Sequence, residues 1–196
     1  MENSNEPEIP NENLVLSNEA NQLKKQKSLK NKAQQLDNKI VNTISELLKN
    51  MCKENNSVEV HNTNILYNKK IILFMLKKIP SISIKDFLFR LLKYSKISDS
   101  TLVYILIYID RLCHKYKIKL NYYNIYKLIL ASMVVAIKLN EDEFYSSEFY
   151  AKLGGISKIE LNNLEYEFTT MINFNLFVKE ELFYKYYDLL INYDME

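Results

Sequence analysis

Apolar residues recur along this chain with the spacing of helices. Between Leu128 and Ile137, ten consecutive residues are apolar or small, with Lys127 before them and Lys138 after them. A helix that is hydrophobic on every side belongs at the centre of a bundle. The chain has Gly 2 and Pro 3 in 196 residues, and so few turn-forming residues argue against a β-sandwich or barrel. The pattern therefore predicts an all-α fold.

Seven helices can be placed from the periodicity of apolar positions. The first is amphipathic and runs from Ala20 to about Asn50, so it needs a surface to pack on. After a polar stretch and the apolar run Ile71–Leu76, six more follow, at about residues 83–96, 99–116, 124–139, 146–153, 157–175 and 179–192.

The same pattern divides the chain into three parts. Residues 1–18 contain Pro, Asn and Glu without periodicity and are predicted to be a disordered tail. Residues 19–64 form an N-terminal amphipathic helix with its linker, and residues 65–192 form the main helical domain.

Local signals indicate where several helices begin and end. Ser157 and Glu160 form the Ser-x-x-Glu pattern of a capping box, in which the Ser hydroxyl accepts from the Glu amide and the Glu carboxylate bonds the Ser amide. The residues at 83–86 resemble the same signal. Gly154 and Gly155 are the only glycines of the chain. They suit a helix end, where a left-handed residue closes the turn.

Composition and charge narrow the class of protein. Hydrophobic residues make up 47% and charged residues 26%, as in ordinary globular domains. The formal net charge is +2, from 26 basic and 24 acidic residues, which is not the footprint of a nucleic-acid-binding protein. No signal-peptide pattern is found, and the apolar runs fall short of the ~20 residues that span a bilayer. We therefore expect neither a membrane nor a nucleic-acid partner.

Few side chains could support metal binding or catalysis. Cys52, Cys113, His61 and His114 are the only soft metal ligands, and Cys113 and His114 point about 100° apart on one helix. The glycine pair lacks the GK[ST] ending of a phosphate-binding loop. We expect no metal, no cofactor, no small-molecule substrate and no catalytic residue. Two cysteines in a chain of this length favour a reducing location, cytoplasmic or nuclear.

Asp110 is a charged residue within an apolar helix. Leu106, Ile107 and Cys113 lie one turn away, and an unpaired carboxylate would be costly to bury among them. Arg90 borders the apolar stripe of its own helix and is the candidate partner. The sequence therefore predicts a buried structural ion pair between Asp110 and Arg90, with a contact to a partner protein as the alternative.

Several segments together resemble the cyclin box of the phosphate-pathway cyclins, the P- or U-type group. They are Tyr108-Ile109-Asp110-Arg111, Ala136-Ile137-Lys138, and the run from Gly154 to Glu165. The Gly-Gly-Ile-Ser-x-x-Glu-Leu-Asn-x-Leu-Glu run is the specific part, because it separates this group from the mitotic cyclins. The resemblance extends from about Ile82 to Tyr187 and is absent over residues 1–64.

This resemblance implies a single five-helix cyclin box with an N-terminal helical extension and a short C-terminal helix. It also implies no catalysis by the chain itself and a cyclin-dependent kinase as partner. In cyclins a Lys at the end of the third box helix and a Glu in the fifth bind the kinase, and Lys138 and Glu165 match those positions. Val135, Leu139 and Phe168 are expected to supply apolar contacts beside them.

The loop at 141–143 carries three acidic residues. Such a run in a loop is more often a solvated set of charges. The alternative is that Glu141 and Asp142 face a basic pocket on the activation segment of the kinase, where carboxylates would stand in for a phosphate.

Two other functions stay open at this point. The cyclin fold also serves as a nucleic-acid-binding scaffold in general transcription factors, with Lys24–Lys39 as a possible basic arm. The chain could also be a plain helical adaptor, in which Lys138 is only a cation near the negative end of its helix dipole. The single box and the near-neutral charge argue against nucleic-acid binding. We therefore favour a regulatory subunit that binds and activates a cyclin-dependent kinase.

Overall fold

The computed structural model describes residues 39–55, 69–95 and 97–193. These residues form eight helices and no β-strand: α1 (39–54), α2 (Lys69–Ile72), α3 (Ile84–Ser95), α4 (Asp99–Tyr116), α5 (Ile125–Asn140), α6 (Ser147–Gly154), α7 (Lys158–Met171) and α8 (Glu180–Asn192). The prediction of an all-α fold is confirmed, and α3 to α7 are the five helices expected for the box.

The described residues test only part of the predicted division of the chain. The described residues, from Lys39 onwards, belong to one compact unit. The predicted tail at 1–18, the first part of the helix from Ala20 and most of the linker lie outside the described residues. The boundaries at 18 and 64 therefore stay predictions.

α5 lies at the centre of the bundle. Residues 128–137 are all buried, and α4, α6 and α7 pack around them. Each large apolar side chain removed from water contributes roughly 1.5 to 3 kcal/mol, so α5 is held firmly in place. The predicted central helix is confirmed, with bounds one residue further along the chain. Within the described ranges, no helix has both the length and the apolar character needed to cross a bilayer.

Serine side chains begin four of the helices. The hydroxyls of Ser83, Ser98, Ser146 and Ser157 each accept a hydrogen bond from the amide three residues later. Each bond satisfies one of the free N–H groups in the first turn of a helix. The two capping signals found in the sequence, at Ser83 and Ser157, therefore do begin helices.

The two glycines end α6 and allow it to approach α5. Gly155 has a φ of 73° and donates its amide to the last carbonyls of α6, which is the left-handed cap predicted from the sequence. A Cβ atom at Gly154 would overlap the side chain of Leu130 on α5. Gly154 is therefore required for close helix packing rather than for its backbone angles.

α1 packs on the bundle beside α4 and α8. Its apolar face is buried at Ile40, Ile44 and Leu48, and Leu48 lines an apolar cavity of about 200 Å³ together with residues of α4 and α8. Cys52 is buried on α1, and Cys113 of α4 lines the same cavity. Burial raises the pKa of each thiol to about 12. The described part of the predicted amphipathic helix therefore has the packing surface that it requires.

Candidate functional site

Lys138 and Glu165 form an ion pair with each other across two helices. Lys138 lies in the last turn of α5, and its Nζ atom is 2.6 Å from Oε1 and 2.8 Å from Oε2 of Glu165 on α7. The two side chains are 35% and 21% exposed, so the pair lies at the surface. The structure thus brings together the two charged residues that the resemblance singled out.

The apolar residues expected beside this pair differ in their accessibility. Leu139 is exposed and can contact a partner. Phe168 is 0% exposed and packs edge-on against Phe74, with ring centroids 6.2 Å apart, and Val135 is also buried. The expectation that Phe168 and Val135 contact a partner is therefore wrong for this conformation, because both side chains belong to the core under the ion pair.

Three exposed aromatic residues near the site were missed by the sequence analysis. Tyr166 follows Glu165 on α7, and Phe174 and Phe177 lie in the segment after it; Phe177 is 77% exposed. The predicted helix continued to about residue 175, but α7 ends at Met171 and the chain turns at once. The turn brings two aromatic side chains to the surface that a continued helix would have placed differently.

The segment after α7 is held in this turn by side chains of α4. Asn173 and Phe174 have φ values of 56° and 52°, a left-handed conformation that is unfavourable for residues other than Gly. Lys115 Nζ donates to Asn173 Oδ1 at 2.8 Å. Arg111 donates to the carbonyls of Asn175 at 2.6 Å and Phe177 at 3.0 Å. These bonds offset the backbone strain and fix the two aromatic side chains in place.

Tyr108 links this segment to the end of α5. Its phenol donates to Leu176 O at 2.8 Å and also interacts with the side chain of Asn140, two residues after Lys138. Burial raises the pKa of Tyr108 to about 12, so the phenol keeps its proton and remains a donor. Tyr108 therefore connects the end of α5 to the segment at 172–177 from inside the bundle.

Glu141 is used within the chain rather than presented to solvent. Its Oε1 atom accepts from the amide of Ser98 at 2.9 Å, from the Ser98 hydroxyl at 2.8 Å and from the Thr101 hydroxyl. Burial by itself raises the pKa of Glu141, but these bonds outweigh it and the pKa is lowered. Glu141 thus ties the end of α5 to the beginning of α4, and of the two predicted acidic contacts only Asp142 is exposed.

The predicted buried pair of Asp110 and Arg90 is wrong. Asp110 is exposed and accepts a hydrogen bond from Tyr186 of α8 at 2.7 Å. Arg90 instead lies over the ring of Phe87, 5.3 Å from its centroid, and no ion pair joins Arg90 to Asp110. The reason is packing: α3 lies against α6, whereas this side of α4 faces α8.

The chemistry of the site is that of protein recognition. Lys138 and Glu165 offer a donor and an acceptor side by side, with exposed apolar and aromatic side chains around them. Among the described residues, no group of three or more His, Cys, Asp or Glu side chains could hold a metal ion. A partner with free backbone groups and apolar side chains would match this surface.

Comparisons with known proteins agree with this description. The family model for cyclins matches residues 11–176. PHO85 cyclin-like protein psl1 of Schizosaccharomyces pombe is 39% identical over 124 residues, which cover 62% of this chain and 51% of psl1. Cyclin-U4-1 of Arabidopsis thaliana is 31% identical over 153 residues, covering 78% and 74%. Cyclin-P3-1 of Oryza sativa subsp. japonica is 35% identical over 129 residues, covering 64% and 55%.

The extent of these matches defines what they establish. The chain spans about half the length of psl1, so the activity and partners of that whole protein are not transferred by the likeness alone. The family model, in contrast, covers most of this chain, and family membership implies a regulatory rather than a catalytic protein. The chain has an all-helical box, the family model for cyclins covers most of its length, and the relatives named above are cyclins of the P- and U-type and a PHO85 cyclin-like protein. The chain therefore belongs to the cyclin family, in the P- and U-type group.

Proposed function

We propose that this cyclin binds and activates a cyclin-dependent kinase through the surface around Lys138 and Glu165. We call this surface the α5–α7 face and define it by Lys138, Leu139, Glu165, Phe174 and Phe177. The name of psl1 refers to PHO85, and we propose a kinase of that type as the partner.

The observation that carries the proposal is the unused hydrogen-bonding capacity of the ion pair. A lysine ammonium has three donors and a carboxylate has about four acceptor sites. Among the described residues, the ammonium bonds only Glu165, and each carboxylate oxygen accepts from Lys138. The pair can therefore also bond a backbone carbonyl and a backbone amide of a partner. Because the two side chains already hold each other, less side-chain entropy is lost on binding.

The surrounding side chains add apolar contact to these polar bonds. Leu139 and the two phenylalanines are exposed in the free chain, and a docked helix would cover them. Aromatic residues carry a large share of the binding energy at many protein interfaces. The α5–α7 face thus combines a charge-assisted contact with exposed apolar side chains.

Activation follows if the face binds only one arrangement of the kinase. Phosphoryl transfer requires that the Lys–Glu pair of the kinase and its metal-binding residues be correctly placed. A cyclin that binds the helix carrying that Glu in its active position would shift the kinase towards its active state. The cyclin would need no catalytic residue of its own.

Reconstitution with purified kinases tests the proposal. The full chain is titrated against each cyclin-dependent kinase of the source organism, and phosphorylation of a peptide substrate is followed. We expect one kinase to bind and its activity to rise, and we expect Phe177→Ser to weaken both effects. Tyr184→Ser is the matched control, since Tyr184 is an exposed aromatic on α8 outside the face.

Each alternative has a distinct outcome in this experiment. Binding without a rise in kinase activity would identify an adaptor. Failure to bind any of the kinases, or equal effects of the two substitutions, would reject the proposed face.

A further inference from the structure

A second surface feature lies on the other flank of α7 from Glu165. It is a groove of about 520 Å³ between α7 and the segment at 72–77, which we call the α7 groove. One wall carries Ile72, Leu73 and Leu76, and the other carries Ile159 and Leu164. Asn163 also lines it, and helix geometry places Asn163 about 200° around α7 from Glu165. The groove is therefore separate from the α5–α7 face.

Lys127 holds the two walls of the groove together. Its Nζ atom donates to Leu73 O at 3.0 Å and to Met75 O at 3.1 Å on one wall. The same atom lies 2.9 Å from Oε1 of Glu160 on the other wall, so Glu160 pairs here instead of completing the capping box at Ser157. The groove thus exists in the free chain, and a ligand would not have to form it.

The walls expose apolar surface that the fold does not use. Ile72 and Leu73 are exposed, and Ile159 across the groove is 75% exposed. A contiguous apolar patch of this kind, with polar groups at its margin, is typical of an interaction site.

The charges of the groove favour an anionic ligand. Its one acidic residue, Glu160, is already neutralised by Lys127. Lys77 also lines the groove, is exposed, and has no hydrogen bond or ion pair to any described residue. The beginning of α7, at Ser157, adds the positive end of a helix dipole. The net charge facing a ligand is therefore positive.

We infer that the α7 groove binds a linear peptide segment of a partner protein that combines two or three apolar side chains with acidic residues. The apolar side chains fill the space between the walls, and a carboxylate of the segment meets Lys77. Because this groove is distant from Lys138, binding there is compatible with a kinase on the α5–α7 face.

Three matched peptides test this inference on the full chain. The first is a fluorescein-labelled decapeptide with leucines and glutamates, the second has lysines in place of the glutamates, and the third has serines in place of the leucines. We expect the first to bind about tenfold more tightly than the second, as a few surface charge contacts allow, and the third not to bind. Methyl resonances of Ile72, Leu73 and Ile159 should shift on binding.

A charge reversal at the groove sharpens the test. Lys77→Glu should reverse the preference between the acidic and the basic peptide, whereas Lys78→Glu should not, because Lys78 is exposed but does not line the groove. Equal binding of the two charged peptides, shifts that map to other methyl groups, or no binding at all would overturn the inference. Kinase activation by the Lys77→Glu variant is measured in parallel and should be unchanged, so this test and that of the proposed function fail independently.

Discussion

Lys127 and Lys138 stand near the two ends of α5 and each pairs with a carboxylate of α7, yet they are used differently. Lys127 is 14% exposed and bonds two backbone carbonyls in addition to Glu160. Lys138 is 35% exposed, and Glu165 is its one partner among the described residues. The same two helices thus carry two different ion pairs. In the Lys127–Glu160 pair all three donors of the ammonium are used, whereas in the Lys138–Glu165 pair the ammonium can still donate to a partner.

The difference separates a structural ion pair from one available for binding. When all three donors of an ammonium are used within the chain, its removal destabilises the fold, because it leaves two backbone carbonyls and a carboxylate without their donor. A partly exposed pair contributes little to stability and retains the capacity to bond a partner. Both lysines flank the apolar run Leu128–Ile137 in the sequence, so spacing alone does not distinguish them.

The largest effect is expected from charge reversal at the ion pair of Lys138 and Glu165. Lys138→Glu and Glu165→Lys should each weaken kinase binding by ~2 to 5 kcal/mol, or about 30-fold to 4,000-fold. Because both side chains are partly exposed, the melting temperature should hardly change. Calorimetric titration and thermal melts of the purified variants provide the two readouts.

The double variant, with both charges exchanged, is the control for this prediction. It restores an ion pair within the chain but presents each backbone group of the kinase with the wrong charge, so binding should stay weak. Full recovery of binding would show that the pair serves only the fold.

Removal of the Lys127–Glu160 pair should lower the stability of the fold rather than kinase binding. Lys127→Ala leaves the carbonyls of Leu73 and Met75 without their donor, and we expect it to lower the free energy of unfolding by about 1 to 3 kcal/mol. Lys138→Ala should lower it by less than about 1 kcal/mol. Urea unfolding compares the two, and equal losses would contradict the distinction drawn here.

Substitution of Glu141 changes the stability of the region near Lys138 but leaves the Lys138–Glu165 ion pair intact. Because its folded-state pKa is lowered, its contribution is present above the unfolded-state pKa of about 4.3 and is lost as the pH falls through the folded-state value. Glu141→Gln should therefore cost about 1 kcal/mol at neutral pH and nothing at low pH. Urea unfolding at both pH values checks this, and a loss that persists in acid would mean that shape rather than charge matters.

The smallest effect is expected at Asp110, the exposed carboxylate that was predicted to be buried. Tyr186→Phe removes the hydrogen bond that Tyr186 donates to Asp110 and should cost about 0.5 to 1 kcal/mol, with kinase affinity unchanged. Phe183→Leu, one turn away on α8, is a control for loss of packing on the same helix. A fall in kinase affinity with Tyr186→Phe would extend the binding surface to α8.

The sequence predicted those features that depend on neighbours along the chain. α4 was placed at its observed bounds, and two of the four serine caps, Ser83 and Ser157, were found together with Gly155, because helix periodicity and caps are local signals. Lys138 and Glu165 were singled out through the family resemblance, which places both residues on known helices, but their ion pair with each other was not predicted.

The features that were missed depend on contacts far apart in sequence. Asp110 has apolar neighbours on its own helix, but its exposure is decided by how far α8 covers it. The role of Lys127 depends on backbone carbonyls more than fifty residues away, and a backbone acceptor leaves no mark on the sequence. Phe174 is exposed because Arg111 and Lys115 stabilise a turn after α7. The apolar pattern of the sequence had predicted that the helix continues there.

Cys52 is buried and Cys113 is half-buried, so the reactivity of the two thiols reports the opening motions of this cyclin. Cys52 and Cys113 are the only cysteines of the chain, and burial raises the pKa of each to about 12. An unfolded thiol has a pKa of about 8.5. At pH 8 its fraction in the reactive thiolate form is therefore roughly a thousandfold or more higher than that of the folded thiol. The rate of alkylation at that pH would therefore report how often α1 separates from α4, and its measurement with and without a kinase would show whether binding slows this opening.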